Sequence, residues 1–233
     1  VNGEADLQYV ASAARSIAET MTSPLVVVNK STVPVGTGDW VADIVRRAQP
    51  KPIDFSVVSC PEFLREGSAI EDFLRPNRVV IGCEDEQAAA IMKDLYRPLY
   101  LIETPVVVTD VVTAEVIKYA SNAFLATKIS FMNEIANLCD AVGADIDRIR
   151  DGIGSDSRIG HKFLFPGLGY GGACLPKDGK GLLKSANDAK TPLMVLQAVE
   201  TINQEQRKRF FGKLERHFGG KLEGLRVARV ARP

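Results

Sequence analysis

Histidine is nearly missing from this sequence: His161 and His217 are the only two in 233 residues. Little is left for a histidine-based metal site or a histidine-dependent catalytic triad. The four cysteines, Cys60, Cys83, Cys139 and Cys174, stand far apart and form no C-x-x-C pair. That spacing argues against zinc and against a disulfide framework. Neither sign of charge is in excess, because 29 Lys and Arg balance 29 Asp and Glu. No basic surface for nucleic acid is expected, and there is no acidic tail. No apolar run is long enough to span a bilayer, and no signal-peptide pattern opens the sequence. These absences lead to the expectation of a reduced, cytoplasmic protein with no bound metal, no nucleic-acid partner and no membrane. The 45% hydrophobic and 25% charged content is that of a globular chain, long enough for one large or two modest domains.

What the chain does have is a concentrated stretch, Gly167-Leu168-Gly169-Tyr170-Gly171-Gly172-Ala173-Cys174-Leu175-Pro176-Lys177-Asp178. Glycines let a backbone take positive φ and approach a ligand closely. Pro176 suits the first position of a helix, which places Cys174 just before a helix N-terminus. The positive end of the helix dipole, with Lys177 nearby, favours a thiolate there. Thiolates attack carbonyl carbon, so the stretch reads as a nucleophilic cysteine on a glycine loop, with Asp178 beside it. Two other readings compete. Gly167, Gly169 and Gly172 also satisfy the dinucleotide pattern G-x-G-x-x-G, and Phe163 to Pro166 can serve as the strand before it. Pro192 to Phe211, however, reads as helix where that motif requires a strand. The second is a buried, inert cysteine, against which the adjacent Lys177 and Asp178 argue.

Upstream, strands and helices alternate. A helix pattern runs from Ala5 to about Thr20, then a strand at Leu25–Val28, a loop Lys30–Gly38 and a helix from about Asp39 to Ala48. Phe55–Ser59 is the next strand, Glu62–Ile70 a short helix, Arg78–Gly82 a strand, Glu86–Tyr96 a helix and Val106–Val108 a strand. This alternation predicts a parallel sheet with helices on both faces. Ligands of such sheets bind beyond the carboxyl ends of the strands, where Thr32, Glu62 and Glu66 fall. The longest periodic segment is 113–142, with Thr113 as N-cap and Gly143 at C′. Its apolar stripe is Ile117, Ala120, Phe124, Phe131, Ile135, Leu138 and Val142. At about 45 Å it is longer than one domain needs, so it links two domains or pairs with its copy in a dimer. Lys118 and Asn122 share a face off that stripe, and a solvated surface is the plain reading of it. A short helix at Asp145–Gly152, a helix to about Ala189, and a long helix from Pro192, broken by Gly219-Gly220, follow. A strand is expected to begin at Leu225.

Four runs, in this order, carry a resemblance. They are Lys30-Ser31-Thr32-Val33-Pro34-Val35-Gly36-Thr37, Pro61-Glu62-Phe63-Leu64-Arg65-Glu66-Gly67, Lys118-Tyr119-Ala120-Ser121-Asn122-Ala123-Phe124 and Gly169 to Asp178. Together they resemble the nucleotide-sugar dehydrogenases, and Gly67 to Arg78 looks more like the branch acting on UDP-glucose than the GDP-mannose branch. The resemblance implies an α/β fold: the second part of a Rossmann-like parallel sheet over 1–112, a mostly helical central and dimerisation domain with the cysteine loop over 113–223, and the start of a C-terminal domain at 224–233. It also implies that the family's N-terminal glycine-rich unit and its C-terminal UDP-binding domain lie outside this sequence, so that the chain alone is not expected to hold NAD tightly or to turn over.

The implied activity is oxidation of the C6 hydroxyl of UDP-glucose to a carboxylate with two NAD. GDP-mannose, another nucleotide sugar, and a non-catalytic binding fragment are the alternatives. By resemblance Cys174 forms the thiohemiacetal and thioester, Lys118 and Asn122 stabilise the oxyanion, Asp178 orients water or takes a proton, and Glu62 acts in thioester hydrolysis. Thr32, also a catalytic candidate, Glu66 and Lys177 match the cofactor side. Glu62, Phe63, Leu64, Lys118, Asn122, Phe163, Gly167, Tyr170 and Gly171 match substrate contacts. Arg158 matches an arginine that reaches the substrate of a neighbouring subunit, which implies a homodimer through 113–142.

Overall fold

The apolar runs become a four-stranded sheet. The computed structural model describes residues 6–100 and 104–226, in two compact units, one up to Ala120 and one from Ser121 onward. The first unit contains Gln8–Thr20 (α1), Leu25–Asn29 (β1), Thr37–Ala48 (α2), Phe55–Ser59 (β2), Ala69–Leu74 (α3), Val79–Gly82 (β3), Glu86–Leu95 (α4), Arg97–Tyr100 (α5) and Val106–Thr109 (β4). It ends within Val111–Val142 (α6). The second unit holds the rest of α6, then Ile146–Gly154 (α7), Cys174–Asp188 (α8) and Met194–His217 (α9). Among the described residues no helix is long and apolar enough to cross a membrane.

The strands lie in chain order. β1 and β2 are parallel, from Leu25 opposite Phe55 to Asn29 opposite Ser59, and β3 and β4 are parallel, from Val79 opposite Val106 to Gly82 opposite Thr109. Between β2 and β3 the direction reverses, at Ser59 opposite Gly82. The expected wholly parallel sheet is therefore mostly parallel, with one antiparallel step. Apolar runs carry no direction, and the six-residue α3 is too short to cross a sheet face and return the chain the same way. Val27 packs with Ala14, Ala18, Val41 and Val45 of α1 and α2, whereas Val26 packs against the cluster of Val58, Ile81, Ala88 and Met92. Neighbouring strand residues point to opposite faces. α1 and α2 thus cover one face, and α4 covers the other.

Several local expectations shift. Residues 62–68 are a loop, and the helix begins at Ala69; Gly67, at φ 85, and the Arg65–Asp72 ion pair fold the segment back on itself. Residues 163–166 form no strand, since Phe163 takes φ 65. Leu225 and Arg226 are not in a strand, and the rest of that expected strand lies outside the described residues. α6 starts at Val111 rather than Thr113. Asp110 is its cap, accepting from the Thr113 N–H at 2.7 Å and the Thr113 hydroxyl at 2.6 Å.

α6 also presents a different face inward from the one its apolar pattern implied. Phe124, Phe131, Leu138 and Val142 are 66%, 50%, 57% and 66% exposed. The buried stripe reads Glu115, Lys118, Asn122, Ala126, Ile129 and Asn133. Polar residues lie inside because each has a charged or hydrogen-bonding partner, which offsets the cost of leaving water.

Candidate active site

Glu115 shows how α6 anchors the loop after β1. Helix α2 has no side-chain cap of its own. Instead the buried Glu115 carboxylate accepts from the Gly36 N–H at 2.6 Å and the Gly38 N–H at 2.9 Å. Burial pushes its pKa above the usual carboxylate value, while the two amides pull the other way. Gly38 permits this closeness, because a Cβ there would collide with Val111 Cγ1. The loop so held carries the half-buried Thr32.

Three residues along α6, the buried Lys118 faces the loop after β2. Its Nζ lies 3.8 Å from Glu62 Oε1 and 5.1 Å from the centroid of the Phe63 ring. Glu62 Oε2 accepts from the Leu64 N–H at 2.6 Å, which fixes the carboxylate against its own loop. The Arg78 guanidinium stacks on Phe63 at 3.6 Å, and burial lowers the Arg78 pKa. Carboxylate and ring face are the partners a buried ammonium needs. The structure thus gathers Glu62, Phe63, Leu64 and Lys118. Thr32 and Glu66 occupy the loops at the carboxyl ends of β1 and β2, Glu66 on the exposed turn closed by Gly67.

The second unit holds the cysteine. Cys174 is the first residue of α8 and is half-buried, so the helix starts two residues earlier than Pro176 implied. Pro176 falls in the first turn, where a missing N–H breaks no helical bond. Asp178, four residues on, shares the helix face of Cys174 and is 1% exposed. Its Oδ2 accepts from Asn122 Nδ2 at 2.6 Å. Its Oδ1 takes no hydrogen bond but lies 3.3 Å from Nζ of the exposed Lys177.

The glycine loop leading to Cys174 rests on α9. The Tyr170 N–H donates to Asn203 Oδ1 at 2.8 Å, and the Tyr170 carbonyl accepts from Asn203 Nδ2 at 3.1 Å and Arg207 Nη2 at 2.9 Å. The Tyr170 hydroxyl donates to Glu200; burial first, then this bond, raises the phenol pKa. The Gly167 N–H donates to Asn133 Oδ1 at 2.7 Å, and the Gly167 carbonyl accepts from Gln206 Nε2 at 2.7 Å. Phe163 packs on the core of Ala126, Ile129, Tyr170, Leu196 and Val199. Gly171 opens onto a cleft of about 420 Å³, lined also by Arg207 and Phe210. Arg158 stands in another loop, exposed and paired with both oxygens of Asp156. Among the described residues no cluster of His, Cys, Asp or Glu could hold a metal ion.

Sequence reasoning passed over Glu115, Asn133, Glu200, Asn203 and Arg207 as site residues. For Asn203 a signal existed, since it continues the buried stripe of Leu196 and Val199 at helical spacing.

Comparison with known proteins gives the family. Residues 1–100 match the model for the UDP-glucose/GDP-mannose dehydrogenase family, NAD binding domain, and residues 112–205 match the model for its central domain. The chain is 51% identical over 229 residues to UDP-glucose 6-dehydrogenase of Rhizobium meliloti, covering 97% of this chain and 52% of that protein. It is 52% identical over 212 residues to UDP-glucose 6-dehydrogenase TuaD of Bacillus subtilis, covering 91% and 45%. The structure of a UDP-glucose dehydrogenase from Pyrobaculum islandicum superposes with a TM-score of 0.88 at 41% identity, covering 94% of this chain and 50% of that one. GDP-mannose dehydrogenase from Pseudomonas aeruginosa gives 0.64 at 33%, covering 93% and 51%. The chain spans about half the length of the curated relatives it matches. With its NAD binding domain and its central domain matched in order over residues 1–100 and 112–205, the chain belongs to the UDP-glucose/GDP-mannose dehydrogenase family.

Proposed function

We propose that this chain carries catalytic machinery for the NAD-dependent, four-electron oxidation of UDP-glucose to UDP-glucuronate. The observation that carries the reading is the second-unit cluster: Cys174 and Asp178 on one face of α8, with Asp178 bonded to Asn122. The C6 alcohol first loses a hydride and a proton, giving an aldehyde. The Cys174 sulfur adds to the aldehyde carbon and the thiol proton ends on the C6 oxygen, giving a thiohemiacetal. Loss of a second hydride and of that proton gives a thioester. Water then cleaves the carbon–sulfur bond, releasing a carboxylate and restoring the thiol.

In this reading Lys118 and the Asn122 amide stabilise charge on the C6 oxygen. Asp178 takes a proton or orients water, and Glu62 serves as general base in hydrolysis. NAD, when bound, accepts one hydride in each oxidation. Thr32, Glu66 and Lys177 are the residues assigned to its nicotinamide side; the first two stand at the carboxyl ends of parallel strands, where such ligands bind. Phe63, Leu64, Phe163, Gly167, Tyr170 and Gly171 are assigned to the sugar nucleotide. Identity near 50% to UDP-glucose enzymes favours that substrate over GDP-mannose, whose dehydrogenase is 33% identical.

The assembly proposed is a cytoplasmic homodimer through α6, with residues 113–223 as the dimerisation domain and Arg158 reaching the neighbouring subunit. The exposed stripe of Phe124, Phe131, Leu138 and Val142 supports it.

The test is the number of NADH formed per UDP-glucose consumed, for this chain and for the longest natural protein containing it. Two per sugar is expected of the longer protein, and little or no turnover of this chain alone. One per sugar means simple alcohol oxidation and removes the nucleophile role of Cys174. Activity with GDP-mannose and none with UDP-glucose overturns the substrate.

A further inference from the structure

We propose that Asn203 is a positioning residue for Cys174, acting through the glycine loop; this rests on the reading of Cys174 as the nucleophile. A glycine-rich loop has many backbone conformations open to it. Setting the residue at its end requires that the backbone be held, and here the grip comes from one ridge of α9. Asn203 is 3% exposed and bonds the N–H and the carbonyl of Tyr170 at once, as the neighbouring strand of a sheet would.

Two further observations support the seat. Gly169, at φ 95, lies so close that a Cβ would collide with Asn203 Oδ1. One turn before Asn203, Glu200 accepts from the Tyr170 hydroxyl, and its Oε1 would lie 3.0 Å from a Cβ at Gly179, the residue after Asp178. One turn after Asn203, Arg207 bonds the Tyr170 carbonyl. Residues 200, 203 and 207 recur at the spacing of one helix face. The ridge therefore touches both the loop before Cys174 and the α8 turn after it. A held loop keeps the first turn of α8 formed, and the thiol stays in the field of its free amides.

The test is site-resolved alkylation of the intact chain with iodoacetamide, read by mass spectrometry. Cys83, half-buried in the first unit, serves as internal reference, and the buried Cys60 and Cys139 report unfolding. Asn203→Ala should lower the Cys174-to-Cys83 rate ratio by about two- to five-fold, as the sulfur loses its fixed place at the end of α8. Arg207→Ala, at an exposed position, should lower it in the same direction by less. Mere destabilisation would instead expose Cys60 and Cys139 and raise their rates. Should Asn203→Ala fail to fold, Arg207→Ala carries the test alone. An unchanged or raised ratio in folded variants overturns the proposal. The nucleophile reading is judged separately, by whether Cys174→Ser abolishes the second oxidation, so either idea can fall while the other stands.

Discussion

Asn122 Nδ2 donates to Asp178 Oδ2 at 2.6 Å, and both side chains are buried. This bond ties the middle of α6 to the first turns of α8. Asn122→Ala leaves a buried carboxylate short of a donor, which costs about 1–3 kcal/mol. A melting temperature lower by roughly 2–12 °C is expected. Asn122→Asp should cost more, because it sets two carboxylates face to face. Thermal melts of both variants check the order, and an Asp variant as stable as the parent contradicts it.

Lys118 tests the oxyanion role. Lys118→Ala should lower kcat about 10²–10³-fold with KM for UDP-glucose changed by less than about three-fold, the pattern of lost transition-state stabilisation. A rise in KM with kcat intact would make Lys118 a plain binding group.

The phenols offer a pH test. Burial raises the pKa of both Tyr96 and Tyr170, helped by hydrogen bonds to Cys60 and Glu200 respectively. Each folded value lies above the ordinary 10.0, so the folded state keeps a proton that the unfolded chain releases. Their contribution to stability is full below pH 10 and is lost as pH rises beyond it. Of the five tyrosines, no more than three should ionise near about pH 10.5 while the protein remains folded. Absorbance at 295 nm counts them, and four or more early phenolates would contradict the buried geometry.

The exposed stripe of α6 predicts the assembly. Phe131→Asp should shift the chain from dimer to monomer in sedimentation velocity without lowering its helicity, since Phe131 is half exposed within the single chain. A monomeric parent would leave the stripe without its proposed partner.

Strand positions and most helices were legible because they rest on local periodicity. The parallel sheet was read one step too simply, since β2 and β3 look alike in sequence whichever way they run. On α6 the pattern misled more deeply. Its apolar residues mark the exposed stripe, and its inward stripe includes Glu115, Lys118, Asn122 and Asn133. Binary patterning assigns such residues to solvent. Only partners distant in sequence, such as the Gly36 amide, Asp178 and Gly167, show why they lie inside. Cys174 and Asp178 stand together in one short stretch of sequence, whereas the grip of Asn203 on Tyr170 joins segments 33 residues apart, and its one local trace is the place of Asn203 on the buried stripe of α9.

Asn122 and Asn133 are both buried on α6, one bonded to Asp178 and the other to the Gly167 amide. Eleven residues make close to three whole turns, so the two amides point the same way. Side-chain exchange elsewhere on these turns leaves that phase intact. Adding or removing a single residue between them swings one amide about 100° away from its partner. Over this stretch the protein can drift in composition but not in length.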